Sequence, residues 1–220
     1  PNQKQGNGML ITGQVNLDLK NLFATGKNLA LEWQGYDVKS QLLNVLYFHP
    51  NVFKTPLHVD GGFHLLKQDT IFLQREFDFG LSLLSKSSNQ IGFQTEFISS
   101  RLISTADLGN VEELPENTDY NLNYYGLNYW LSRFDNVDFP TRGYGLKING
   151  SVGQKKIIQN PSFNQGVDLN SVQYKWAGEL ENFFMIYRNI LLRTKLSGGY
   201  LQGNKLFQSD LFRIGGLRSL

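Results

Sequence analysis

Cysteine is absent from all 220 residues. That removes disulfides, thiolate metal sites and cysteine nucleophiles together. The compartment stays open, because secreted and cell-surface chains also do without cysteine. No run approaches the ~18 consecutive apolar residues of a membrane helix, which excludes a helical membrane protein. A membrane β-barrel is not excluded, since its strands alternate and an average hydropathy does not register alternation. Charge is also scarce, at 18% of residues against the ~25% usual in soluble domains. Lys plus Arg is 21 and Asp plus Glu is 19, a formal net charge of +2. A balance so near zero argues against a dedicated nucleic-acid binder. There is no Pro-rich or Gly/Ser linker and no block of like charge, so 1–220 reads as one domain. Starting at Pro1 without a signal peptide, the chain is expected to be a mature or truncated piece.

Aromatic residues are plentiful at 13%, and Gly is 22 of 220. Apolar and polar residues alternate with period two over ten segments, and none shows a convincing 3.6-residue stripe. In 71–83, Phe77, Phe79, Leu81 and Leu83 oppose Gln74, Glu76, Asp78, Gly80 and Ser82, with Arg75 an exception on the apolar side. In 121–133 the phase slips between Tyr124 and Tyr125, which predicts a bulge. The remaining strands are read at 10–20, 28–35, 41–48, 57–66, 91–99, 144–152, 172–180 and 190–200. Most exceed the ~5–6 residues of a soluble strand and approach the ~9–11 that cross a bilayer.

The connections carry an independent signal. The three longest, near 101–120, 154–171 and 202–220, are all even-numbered, so an up-and-down meander puts them at one end. Outer-membrane barrels have short periplasmic turns and long extracellular loops. The fold expected is therefore all-β, an antiparallel up-and-down transmembrane barrel, with 21–27, 49–56, 134–143 and 185–189 periplasmic. Trp33, Tyr47, Tyr120, Tyr144, Trp176 and Tyr200 would suit an interfacial girdle. Glu32, Glu76, Asp78, Glu96, Lys147, Lys175, Glu179 and Arg193 would face the lumen, with Asp18, Asp60, Glu181 and Lys195. A soluble ligand-binding barrel, apolar inside, is the rival reading.

Little else suggests chemistry. His58 and His64 share a face but stand about 20 Å apart, too far for one metal, so no metal site is expected. Glu76/Asp78 and Glu179/Glu181 are same-face carboxylate pairs at about 7 Å, more readily lumen carboxylates than a glycosidase dyad. No nucleophile elbow, phosphate loop or His-Glu-x-x-His occurs, so no catalytic residue and no cofactor are assigned.

The final stretch, Asp210-Leu-Phe-Arg-Ile-Gly-Gly-Leu-Arg-Ser-Leu220, resembles the loop motif of the BamA/TamA-like outer-membrane assembly factor superfamily, the bacterial surface antigen barrels. Phe212, Gly215 and Gly216 match its Phe-x-x-Gly-Gly segment, with Arg218 following; the family's Arg-Gly-Phe/Tyr step is not in this sequence. Asn21 to Gly26 is similar to the family's first periplasmic turn, and Pro140, Thr141 and Gly143 fit its Phe-Pro-Thr-x-Gly turn. The resemblance implies ten strands of a barrel of about sixteen, with POTRA-type domains upstream and the last strands outside this sequence. It implies a multi-pass protein of the bacterial outer membrane that performs no bond chemistry. Its implied role is inserting other barrel proteins. Its implied partners are outer-membrane lipid or lipopolysaccharide, unfolded outer-membrane clients and accessory lipoproteins. A two-partner-secretion translocator or a lipase-fused barrel of the same superfamily stays open.

Overall fold

The computed structural model describes residues 12–35, 40–68, 72–85, 89–103, 119–136, 139–158, 169–188, 190–204, 206–207 and 210. Ten strands form one antiparallel sheet: β1 (Gly13–Leu22), β2 (Lys27–Gly35), β3 (Gln41–His49), β4 (Leu57–Gln68), β5 (Phe72–Leu84), β6 (Asn89–Leu102), β7 (Tyr120–Phe134), β8 (Gly143–Ile157), β9 (Asn170–Tyr187) and β10 (Ile190–Gly203). Each strand pairs with its sequence neighbours, so the order is β1 through β10 without a crossover. The sheet is not closed; β1 and β10 are its edges. Among the described residues no helix is long and apolar enough to cross a membrane.

The register sorts the side chains into two faces, because successive residues of a strand point to opposite sides. One face carries Leu17, Leu31, Val45, Phe63, Phe77, Phe97, Tyr125, Ile148, Tyr174 and Leu196 on successive strands. Of these, Leu31, Val45 and Phe63 are half-buried and the other seven exposed; Leu127 and Trp176 on the same face are 64% and 54% accessible. The opposite face carries the charged and amide groups.

Among the described residues, hydrogen bonds on the polar face skip strands at three places. Gln94 on β6 reaches Ser151 Oγ on β8 at 3.4 Å. Tyr124 Oη on β7 donates to Gln173 Oε1 on β9 at 2.7 Å. Lys175 Nζ on β9 meets Glu96 Oε2 on β6 at 2.8 Å. In a flat sheet β6 and β9 would lie about 14 Å apart. Side chains bridge that distance only if the sheet curls toward the polar face. The polar face is thus concave and the apolar face convex, the arrangement of a membrane barrel and the inverse of a soluble one.

Glycine makes the skipping bonds possible. A Cβ on Gly126 would run into Ser151 and the Gly150 carbonyl, and one on Gly153 would run into the Tyr124 ring.

Two expectations are corrected. β7 pairs with both neighbours without a slip at Tyr124/Tyr125. Tyr120, Leu122 and Tyr124 simply continue the concave face, where they are buried. An apolar patch on the polar side had mimicked a change of phase. The register irregularities lie instead at Leu19/Leu22 and Ile190/Leu191. Of the six girdle aromatics, Trp33, Tyr47, Tyr144, Trp176 and Tyr200 stand on the convex face, but Tyr120 is an interior residue. Strands β8 and β9 also run further than the alternation indicated, to Ile157 and Tyr187.

The packing of β7 on β8 can be tested directly. Gly126→Leu is expected to destabilise the barrel by about 1–3 kcal/mol by overpacking, read as a lowered urea midpoint in lipid vesicles. Gly198→Leu, where an added Cβ meets nothing within 4 Å, should leave the midpoint in place.

Candidate functional site

The concave face is a continuous polar surface. On β2 to β5, Gln34 Nε2 donates to Glu32 Oε1 at 2.5 Å, and Asn44 Nδ2 to Glu32 Oε2 at 3.3 Å. His64 then lies between Asn44 Oδ1 and Asp78 Oδ1, 2.9 Å from each. On β8 to β10, Glu179 faces Lys147 at 3.6 Å and Lys195 at 3.1 Å, and Arg193 Nε donates to Glu181 Oε1 at 2.5 Å. Lys147 also lies over the Trp130 ring, 5.4 Å from its centroid. The register places Glu32, Glu76, Asp78, Glu96, Lys147, Lys175, Glu179 and Arg193 all on this face. Glu179 and Glu181 are held by cations and Asp78 by His64, an arrangement of structural ion pairs. Among the described residues no group of three or more His, Cys, Asp or Glu could hold a metal.

Between these networks lies a cavity of about 380 Å³. Its walls include Leu42, Asn44, His64, Glu76, Tyr124 and Lys175. Toward the end with the long connections the concave side carries a packed cluster of Tyr120, Leu122, Tyr124, Ile157 and Phe207. Phe207 belongs to the segment after β10, which turns into the concave side and stacks on Tyr120 with ring centroids 5.7 Å apart.

The centre of this cluster is a buried ion pair. Lys155 Nζ bonds Asp210 Oδ2, with side-chain exposures of 0% and 1%. The ammonium sits 4.2 Å from the Tyr120 centroid and 4.1 Å from that of Phe207. Asp210 Oδ2 also accepts the Phe207 N–H at 2.7 Å. Two aromatic faces and a carboxylate so replace the water a lysine loses on burial. Sequence reasoning missed this pair. Lys155 falls beyond the end read for its strand, and only the alternation Gly153, Lys155, Ile157 could have signalled it. Phe212, Gly215, Gly216 and Arg218 lie outside the described residues.

The short-turn residues are held differently. Asp135 opens the 134–143 turn. Its Oδ1 accepts the N–H groups of Asn136 (3.0 Å), Thr141 (2.9 Å) and Arg142 (3.0 Å), and its Oδ2 accepts the Thr141 hydroxyl at 2.5 Å. The Thr141 hydroxyl and then the backbone donors hold the Asp135 carboxyl well below the usual carboxylate range. Pro140 lies between Phe139 and Thr141 in the same turn. Gly143 closes it at φ 113°, where a Cβ would collide with the Arg133 carbonyl. Gly26 takes φ 75° in the first turn, and its N–H bonds Asn21 Oδ1 at 2.8 Å.

No family model matches the chain, and no curated protein matches it. Among solved structures, the crystal structure of BamA from Haemophilus ducreyi lacking POTRA domains 1–3 is similar, with a TM-score of 0.55 and 16% identity. The match covers 94% of this chain and 42% of that one, so the chain spans less than half the length of its structural neighbour.

Two outcomes test the site. Lys155→Met and Asp210→Leu should each cost about 3–5 kcal/mol, because each strands the other's buried charge. The double variant Lys155→Met/Asp210→Leu should recover much of that loss, measured as a double-mutant cycle of urea midpoints. In the 134–143 turn, the depressed Asp135 carboxyl contributes stability that is complete above its ordinary range and lost only as pH falls through its lowered value. Protection of the Thr141 and Arg142 amides from hydrogen exchange should persist at about pH 4, near the ordinary Asp value. In Asp135→Asn that protection should fall at every pH. The ten strands, polar within and apolar without, have the fold of part of a BamA barrel.

Proposed function

We propose that this chain forms part of a bacterial outer-membrane barrel that assists insertion and assembly of other β-barrel proteins. The observation that carries the reading is the inverted sheet: the strand-skipping bonds Gln94–Ser151, Tyr124–Gln173 and Glu96–Lys175 curl it with its apolar face outward. An exposed belt running from Leu17 on β1 to Leu196 on β10 is stable in lipid and unstable in water. The likeness to the BamA barrel and the turn and loop motifs support the assembly role. Lipid or lipopolysaccharide surrounds the barrel in this reading, unfolded outer-membrane proteins are its clients, and accessory lipoproteins are its partners. No covalent chemistry is needed, because an exposed strand edge can template a client strand by backbone pairing.

The interior favours assembly over a standing polypeptide conduit. Phe207 and Tyr120, pinned by Lys155 and Asp210, pack inside the concave side at the long-connection end. In reconstituted vesicles the native, full-length protein should accelerate folding of a urea-denatured client barrel over empty vesicles. An unchanged rate overturns the assembly role. A steady open conductance in planar bilayers would favour a translocator instead.

A further inference from the structure

Two short turns at the same end of the sheet are copies of one another. Asn21-Leu22-Phe23-Ala24-Thr25 and Asn51-Val52-Phe53-Lys54-Thr55 share the pattern Asn-aliphatic-Phe-x-Thr. Their first, third and fourth residues take left-handed φ in both: 55°, 54° and 53° in the one, 51°, 53° and 61° in the other. The hydrogen bonds repeat as well. The fourth residue's N–H donates to the Asn carbonyl at 3.0 and 2.9 Å. The threonine hydroxyl donates to the carbonyl of the second residue at 2.7 and 2.6 Å.

The product of this construction is a phenylalanine held in solvent. Phe23 is 89% and Phe53 92% exposed. A left-handed phenylalanine is a strained outlier, and two such residues at equivalent tips mark a function for the side chain. A third short turn at this end presents Phe139, 81% exposed. In sequence, the five short connections carry Lys27, Lys54, Lys86, Arg142 and Arg188 against only Asp135 and Asp138. The exposed apolar belt runs down to the same turns, through Leu19 on β1 and Tyr47 on β3.

We infer that Phe23 and Phe53 are anchors that insert into the headgroup layer of an anionic bilayer at the short-turn end. Aromatic tips beside cations, continuous with an apolar belt, match a surface that is negatively charged outside and apolar beneath. The inference rests on the membrane-barrel reading and adds a lipid class and a depth.

Single-tryptophan variants of the full-length protein test it. Trp176 alone, with Trp33→Phe, Trp130→Phe and any tryptophan outside residues 1–220 replaced by Phe, reports the belt. Phe23→Trp and Phe53→Trp, each with every native tryptophan of the full-length protein replaced by Phe, report the tips. The probes are phosphatidylglycerol-containing and purely phosphatidylcholine vesicles, each prepared with lipid brominated either near the headgroup or deep in the acyl chain. In the anionic vesicles both tips should lose as much emission to shallow bromines as Trp176 loses to deep ones, and less in phosphatidylcholine. Quenching of Trp176 without quenching of the tips overturns the anchors and leaves the membrane barrel standing. Blue-shifted but unquenched tips show a polypeptide cover and also overturn them, and equal quenching in both vesicles overturns the anionic preference. An unquenched Trp176 overturns the membrane reading itself.

Discussion

Everything in this fold depends on which way the sheet curls. A ten-stranded sheet with one polar and one apolar face has two ways to bend, and they lead to different solvents. Bending toward the apolar face gives a dry core and a soluble barrel; bending toward the polar face leaves Phe77, Leu127 and Trp176 facing outward, which only lipid tolerates. The choice is made by contacts longer than one strand spacing. Glu96 and Lys175 meet across β7 and β8, and Tyr124 reaches over β8 to Gln173. Small residues clear their path, with Gly126, Ser151 and Gly153 beneath the bridging side chains. Polar side chains long enough to span, set over strands thin enough to cross, hold the curvature.

The two ends of the sheet solve opposite problems. At the long-connection end the interior is packed, and a lysine and an aspartate are buried together. Such a pair is a poor source of net stability, because desolvation offsets most of the attraction. It is a good source of specificity, because either partner alone would be costly. Asp210 therefore has one place to go, and it brings Phe207 onto Tyr120. The segment after β10 is docked by a charge match and then sealed by ring stacking. At the other end the connections are short and, among the described residues, bury little beyond Val52. They are stiffened locally, by Asp135 collecting three amides and a hydroxyl and by threonine hydroxyls closing the two Asn-x-Phe turns.

The strand count, the meander order and the polarity of each face were legible in the sequence, because period-two alternation is written residue by residue. The direction of curl was legible only indirectly, through strand length, scarce charge and the long even-numbered connections, because alternation alone does not say which face turns inward. It rests on pairs such as Glu96 and Lys175, 79 residues apart, which no local pattern connects. The Tyr124/Tyr125 slip misled for a related reason: periodicity reports polarity, and polarity stops marking the faces where the interior is itself apolar. Lys155 was missed because the stretch Gly-Gln-Lys-Lys-Ile looks like a polar loop until Asp210 is seen beside it. Arg75 no longer needs a special account. It stands on the convex face a few residues from the start of β5, where a long cationic side chain can reach past the apolar belt to a polar boundary.

The difference between the ends also gives the barrel an orientation that composition alone cannot supply. A belt of exposed apolar side chains fixes depth in a bilayer but is nearly symmetric about the midplane. Asymmetry enters through what borders it. On one side part of the segment after β10 is docked inside, Phe207 on Tyr120 and Asp210 on Lys155. On the other stand tight turns that hold Phe23, Phe53 and Phe139 in solvent and whose charges are mostly positive. A side chain kept in solvent by a strained backbone is costly in water and useful only against another phase. The repeated Asn-x-Phe-x-Thr turn is therefore best understood together with the apolar belt. The belt selects lipid, the buried pair docks the segment after β10 at one end, and the turns set where the other end meets the boundary.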